Sequence, residues 1–115
     1  MEIKFSIEPE FLKVELNGSF TQDAFVDFLK LLGKKDSEFI YIDASQLQNT
    51  NLTYQERFDI VNVSVANLNF IAKIAIVWPA RDINNFIIDN MQRHGHNIQI
   101  FGEPNQAKRW LLKKG

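Results

Sequence analysis

The sequence predicts one α/β domain, spanning residues 1–115, built on a mixed, mostly parallel sheet of about five strands. Three observations carry this. Residues 39–42 are a continuous apolar run, the mark of a strand covered on both faces, and 73–78 has the same character after its opening Lys73. The last third alternates strand and helix patterns: 73–79, a helical stretch ending at His94-Gly95, 97–101, and a closing 106–112. That order calls for right-handed crossovers between parallel strands. The first two strand patterns instead alternate strictly and are joined by a short turn, which makes them an antiparallel pair at an edge. The expected order is β-β-α-β-α-β-α-β-α.

Each element has its own signal. Ile3, Phe5 and Ile7 alternate with Glu2, Lys4, Ser6 and Glu8, giving a half-buried strand. Glu8-Pro9-Glu10 turns the chain. Leu12, Val14 and Leu16 alternate with Lys13, Glu15 and Asn17, and Gly18 ends this second strand. Thr21 opens a helix with Asp23 in its first turn, where the helix dipole favours a negative charge. Phe25, Phe28, Leu29 and Leu32 form its stripe, and Gly33 stands where a helix stop belongs. Thr53 with Glu56 three residues on is a capping box. The helix it starts carries Tyr54, Phe58, Val61, Val65 and Leu68 at helical spacing. Its valines are poor helix formers, so packing must hold it. Asp82 is a candidate cap for the next helix, with Ile83, Phe86, Ile87 and Met91 as its inner face. Gly95 is placed for a left-handed stop. Pro104 suits the first turn of the last helix, whose buried face is Ala107, Trp110 and Leu111. Trp110 is expected to be mostly buried and to clamp that helix onto the sheet.

Composition narrows the function. The formal net charge is −1, which argues against a nucleic-acid binder driven by phosphate contacts. Charge is uneven: Glu2, Glu8, Glu10, Glu15, Asp23 and Asp27 lie in the first third, and Lys73, Arg81, Arg93, Lys108, Arg109, Lys113 and Lys114 in the last. The ordinary reading is two solvated faces. The chain has no cysteine, so disulfides, thiol chemistry and cysteine zinc sites are excluded. No basic start with an apolar run opens the chain, and no stretch reads as a stable membrane insertion. The expected setting is the cytoplasm.

The ordered set of patterns resembles the STAS superfamily, the anti-sigma-factor-antagonist fold, and within it small stand-alone SpoIIAA-like proteins. The resemblance covers essentially the whole chain. Its most specific part is the strand Ile74-Ala75-Ile76-Val77, the helix after it, the strand Ile98-Gln99-Ile100-Phe101, and Ala107-x-x-Trp110-Leu111 in the closing helix. Asp43 after an apolar strand fits as well. The resemblance implies a non-catalytic regulatory or protein-interaction module. Phosphorylatable members carry an Asp-Ser-Ser-Gly-like segment before the helix that follows this strand. The corresponding stretch here is Gln48-Asn49-Thr50-Asn51-Leu52. Thr50 falls near the phosphorylated position and Asn51 can supply the left-handed backbone that glycine gives there, but the acidic residue and the serine pair are missing. That argues against kinase control at Thr50. Related folds, such as the CRAL-TRIO exchange proteins, bind lipids, an analogy at the level of fold.

Ligands of parallel sheets sit outside the carboxyl ends of the strands. That rim supplies the candidate residues Asp43, Ser45, Thr50, Thr53, Trp78, Arg81 and Asp82. Asp43 and Arg81 end neighbouring strands and can pair with each other or grip a polar ligand. Trp78 is either a ligand-facing wall or the end of the core. Thr50, Ser45 and Thr53 precede a helix whose amides can hold an anion, but a hydroxyl nucleophile needs a base, and neither histidine falls near this loop. An enzyme would have to work on the rim around Asp43, Ser45 and Arg81. His94-Gly95-His96 offers at most two metal ligands where three or four are needed, and no phosphate loop is present. No cofactor is implied. Ile60, Val63, Ile88 and Leu112 fall off the main helical stripes. They are ordinary core, or they line a cavity for an apolar or lipid-like small molecule, or they cover a patch used by a protein partner or a symmetric homodimer.

Overall fold

Five strands pair in the order of the chain, β1-β2-β3-β4-β5. They are β1 (Glu2–Ile7), β2 (Leu12–Asn17), β3 (Phe39–Asp43), β4 (Lys73–Val77) and β5 (Asn97–Phe101). The helices are α1 (Gln22–Leu32), α2 (Tyr54–Asn67), α3 (Phe86–Arg93) and α4 (Pro104–Leu112), with a 3-10 turn at Ala80–Asp82 before α3. This computed structural model describes residues 1–113; Lys114 of the basic set lies outside them. β1 pairs antiparallel with β2, Phe5 opposite Val14, and every later pair is parallel. The sheet is therefore mixed, with the antiparallel strand at its edge.

Sequential order has a geometric consequence. The connections β2-α1-β3, β3-α2-β4 and β4-α3-β5 all step the same way across the sheet. Crossovers of one hand must then lay all three helices on one face. Only α4, after the last strand, covers the other. The two cores reflect this. On the first face Val14, Leu16, Ile40, Ile42, Ile74, Ile76 and Ile98 pack against Phe25, Phe28, Leu29, Leu32, Ile60, Ile88 and Met91. On the second, Tyr41, Ala75 and Val77 pack against Ala107 and Leu111. The small side chains of Ala75 and Ala107 let α4 sit close to the sheet. Burial pushes the Tyr41 hydroxyl up to about 12, with the charges of Asp43, Glu103 and Glu15 adding to it. Tyr41 therefore stays neutral at any physiological pH.

Helix ends follow the capping chemistry. Thr21 accepts from Ala24 N–H, and Thr53 and Glu56 form the full capping box. Glu103 accepts from the N–H groups of Asn105 and Gln106, ahead of Pro104. Those two bonds hold its carboxyl below the ordinary range. Gly95 is left-handed, at φ 90°. Gly33 is not; its φ is −62°. A Cβ there would stand 2.2 Å from the Asn67 carbonyl oxygen. Glycine is needed at this helix end for the close approach of α1 to the end of α2.

Two expectations need correction. First, Tyr54 and Phe58 do not face the core; they are 65% and 45% exposed. The inward face of α2 is Arg57, Ile60, Val61, Ser64 and Leu68, and it includes two polar residues. Val61 and Leu68 of the expected stripe do face inward, but apolar spacing misplaced the amino-terminal half of the helix. Second, Asp82 does not cap α3. That helix starts at Phe86, and the Asn84 side chain accepts from Phe86 N–H at 2.8 Å. Its inner face is Ile88 and Met91, with Ile87 packed beside them, while Ile83 precedes the helix and packs against the same core. Trp110 is mostly buried, as expected, and is packed against the second core. It packs on Phe101 at 5.8 Å between ring centres, with the Lys73 ammonium 4.6 Å above its ring. Of the apolar residues off the main helical stripes, Ile60 and Ile88 take the ordinary-core place. Both are buried in the first core, with Val63 packed against it and Leu112 half-buried on α4.

Candidate ligand cavity

The layer between α1–α3 and the sheet is not filled. A cavity of about 70 Å³ lies there. Its floor is Ile42, Ile74, Ile76, Ile98 and Ile100 of the sheet, and its walls are Phe25, Phe28, Leu29 and Leu32 of α1 and Ile87, Ile88 and Met91 of α3. α2 roofs it with Ile60, Ser64 and Leu68. Trp78 and Leu52 close the end nearest the strand carboxyl termini. Large β-branched and aromatic side chains hold the helices off this face, whereas alanines draw α4 onto the other. Ser64 is 1% exposed, and a small side chain at this inward position leaves room beneath α2.

The polar lining is confined to Arg57, Asp82 and Asn84, apart from Ser64. Asn84 is exposed, and Arg57 and Asp82 are partly so. The mouth therefore lies between the first turn of α2 and the segment leading into α3. Tyr54 reaches across this gap to Phe86, with ring centres 5.2 Å apart, and stacks on Phe58.

The rim residues divide into two groups. Four are tied together beside the mouth. The Thr50 hydroxyl donates to Asp82 Oδ2 at 2.8 Å, Trp78 Nε1–H donates to the Thr50 carbonyl at 3.3 Å, and Arg81 Nε lies 3.4 Å from the same Asp82 oxygen. Trp78 also meets Phe20 and Phe25 edge-on. It is thus both the end of the core and a wall of the cavity. The other three stand apart. Asp43 accepts from Ser45 N–H at 3.0 Å in a local turn, and Thr53 caps α2. Asp43 lies on the α4 side of the sheet, so the expected pairing with Arg81 is not formed; Arg81 lies against Asp82 instead. The left-handed residue of the loop is Asn49, at φ 60°, not Asn51. The loop is fixed by strand-like bonds of Phe20 and Gln48, where Gln48 N–H donates to the Gly18 carbonyl.

Sequence reasoning missed Arg57, Ser64 and Asn84. Their signal was weak: a polar residue on the inward face of a helix reads as a break in the stripe. The rim rule also misled in part. It points to a crevice where strand order reverses, and strands in sequential order have no such point. The space instead lies inside the helix layer. No protein-family model matches the chain, and no curated protein matches it.

Among the described residues no cluster of His, Asp and Glu is arranged to hold a metal ion. His96 is buried next to the start of β5, and its Nδ1 has no hydrogen-bond partner. Desolvation first, and the His94 charge second, lower its pKa. Both histidines lie at the amino end of β5, away from the Thr50–Asp82 rim. No helix among the described residues is long and apolar enough to cross a membrane.

Proposed function

We propose that this chain is a non-catalytic binding module of STAS-like type that holds a small apolar or amphipathic molecule beneath α2. The single observation behind this is the cavity: an apolar floor and walls with the polar groups gathered at one mouth, the usual division of labour in a ligand site. Its volume suits a short tail, since liquid water occupies about 30 Å³ per molecule. The rim chemistry favours binding over turnover. Thr50 is 1% exposed and its hydroxyl is held by Asp82, so it offers neither a nucleophile nor a site for a kinase. As a regulatory module in the cytoplasm, the chain would report ligand occupancy through the position of α2. Native mass spectrometry of the purified chain tests this directly. A co-purifying small molecule, displaced when Ser64 is enlarged to Phe, supports the reading. Failure of 1-hexanol and of hexanoate alike to shift the amide resonances of Ile60, Ile88 and Met91 sinks it.

A second reading has its own observation. Tyr54 and Phe58 remain exposed beside the mouth, and exposed aromatics on one helix face are typical of contact surfaces. A protein partner or a symmetric homodimer using α2 would cover them. Sedimentation at micromolar concentration, comparing the chain with a Tyr54→Ser/Phe58→Ser variant, separates this from the monomer.

A further inference from the structure

We infer that the ligand of the cavity carries a hydrogen-bond-accepting, anionic head: a short-chain monocarboxylate, with its tail on the isoleucine floor and its carboxylate at Arg57. The inference rests on the binding reading above and narrows it to a chemical class.

It comes from an inventory of the mouth. Three polar side chains line it: Arg57, Asp82 and Asn84. Asp82 is engaged through one oxygen, because its Oδ2 accepts from the Thr50 hydroxyl at 2.8 Å and faces Arg81 at 3.4 Å. Its charge is balanced by Arg81 before any ligand arrives. Asn84 spends its side-chain oxygen on Phe86 N–H at 2.8 Å, so its amide N–H groups are what it has left to offer. Arg57 makes no ion pair among the described residues. A guanidinium has five donors and no acceptor, and it cannot lose its charge. Asp82 Oδ1 is left as an acceptor, but the charge at the mouth without an opposite partner among the described residues is the Arg57 cation, with the Asn84 amide as a second donor.

Complementarity then fixes the head group. An alcohol can accept from these donors but leaves the Arg57 charge unanswered. An ammonium is repelled by Arg57 and finds Asp82 already engaged. A carboxylate takes the guanidinium in the two-pronged geometry that makes such pairs strong and directional. The tail is limited by the cavity of about 70 Å³, which excludes a long acyl chain unless α2 moves outward.

The test compares three probes of one chain length on the unaltered protein: hexanoate, 1-hexanol and hexylamine. Binding is followed by the shift of the Trp78 indole N–H, which sits in the cavity wall and donates to Thr50. Hexanoate is expected to bind about tenfold or more tighter than 1-hexanol, as for a charge-assisted hydrogen bond, and hexylamine weakest. Arg57→Gln should remove that advantage while leaving 1-hexanol binding in place, and Arg57→Lys should keep part of it. Retained 1-hexanol binding shows that the variant is folded. Equal affinities for hexanoate and 1-hexanol, or a preference for hexylamine, overturn the head-group assignment and leave the cavity reading standing. No binding of any probe overturns both.

Discussion

Filling the cavity from above is the sharpest test of the architecture. Ser64 points inward from α2, is 1% exposed and lines the space. Ser64→Val should stabilise the protein. A cavity costs about 24 cal/mol per Å³, so about 70 Å³ corresponds to roughly 1.7 kcal/mol. The two added carbon groups, at about 0.8 kcal/mol each when buried, give a similar figure. Helix propensity does not oppose the change, since Ser and Val rank close together. Imperfect fit will take some of the gain, so the expected stabilisation is about 0.5–1.5 kcal/mol. The assay is urea unfolding followed by far-UV circular dichroism, with the midpoint rising and the slope unchanged. The thermal midpoint should rise by about 2–8 °C, and 1-hexanol should no longer bind. A loss of more than about 1 kcal/mol would mean that valine is overpacked there. The space beneath α2 would then be smaller than its lining indicates, and the binding proposal would fall with it.

Three further outcomes follow from named contacts. Gly33→Ala should destabilise by about 1–3 kcal/mol, although alanine is the better helix former, because its Cβ meets the Asn67 carbonyl at 2.2 Å; a neutral or stabilising result in the same urea assay would refute the close-approach role. Trp110→Ala should cost about 2–4 kcal/mol, at or just below the about 3–5 typical of fully buried large aromatics, since the ring packs on Phe101 and the second core but keeps some exposure; thermal melts showing a loss under about 1 kcal/mol would mean that it does not hold α4 to the sheet. His96 has its pKa lowered in the folded chain from the ordinary 6.5, so the unfolded chain takes up its proton first as pH falls. Stability should therefore decline from about pH 7 downward until the folded value is passed, and His96→Leu should flatten that decline; identical pH profiles for the two proteins would show that His96 is not desolvated.

Local chemistry was legible in the sequence alone. Continuous apolar runs at 39–42 and 74–78 mark strands covered on both faces, because only a helix layer on each side makes alternation unnecessary. The capping box at Thr53 and Glu56, the left-handed Gly95 and Pro104 at the start of α4 are decided within four residues of chain, so they can be read without a fold. The mixed sheet with an antiparallel edge follows from the contrast between alternating and continuous runs. The tertiary structure decided what depends on distance. Gly33 reads as a helix stop, but its reason is an oxygen on another helix. Tyr54 and Phe58 read as core because apolar spacing cannot tell a face turned to the sheet from one turned to solvent. Arg57, Ser64 and Asn84 carry no local pattern; they matter because α2 and the Asp82–Asn84 segment converge over one stretch of the sheet. Asp43 ends β3 and Arg81 lies in the 3-10 turn after the neighbouring β4, yet alternation sends the Asp43 side chain to the α4 face while Asp82 holds Arg81. The cavity itself is a mismatch between the volume of one layer and the side chains that fill it. A sequence names those side chains, but only their packing determines the space they leave.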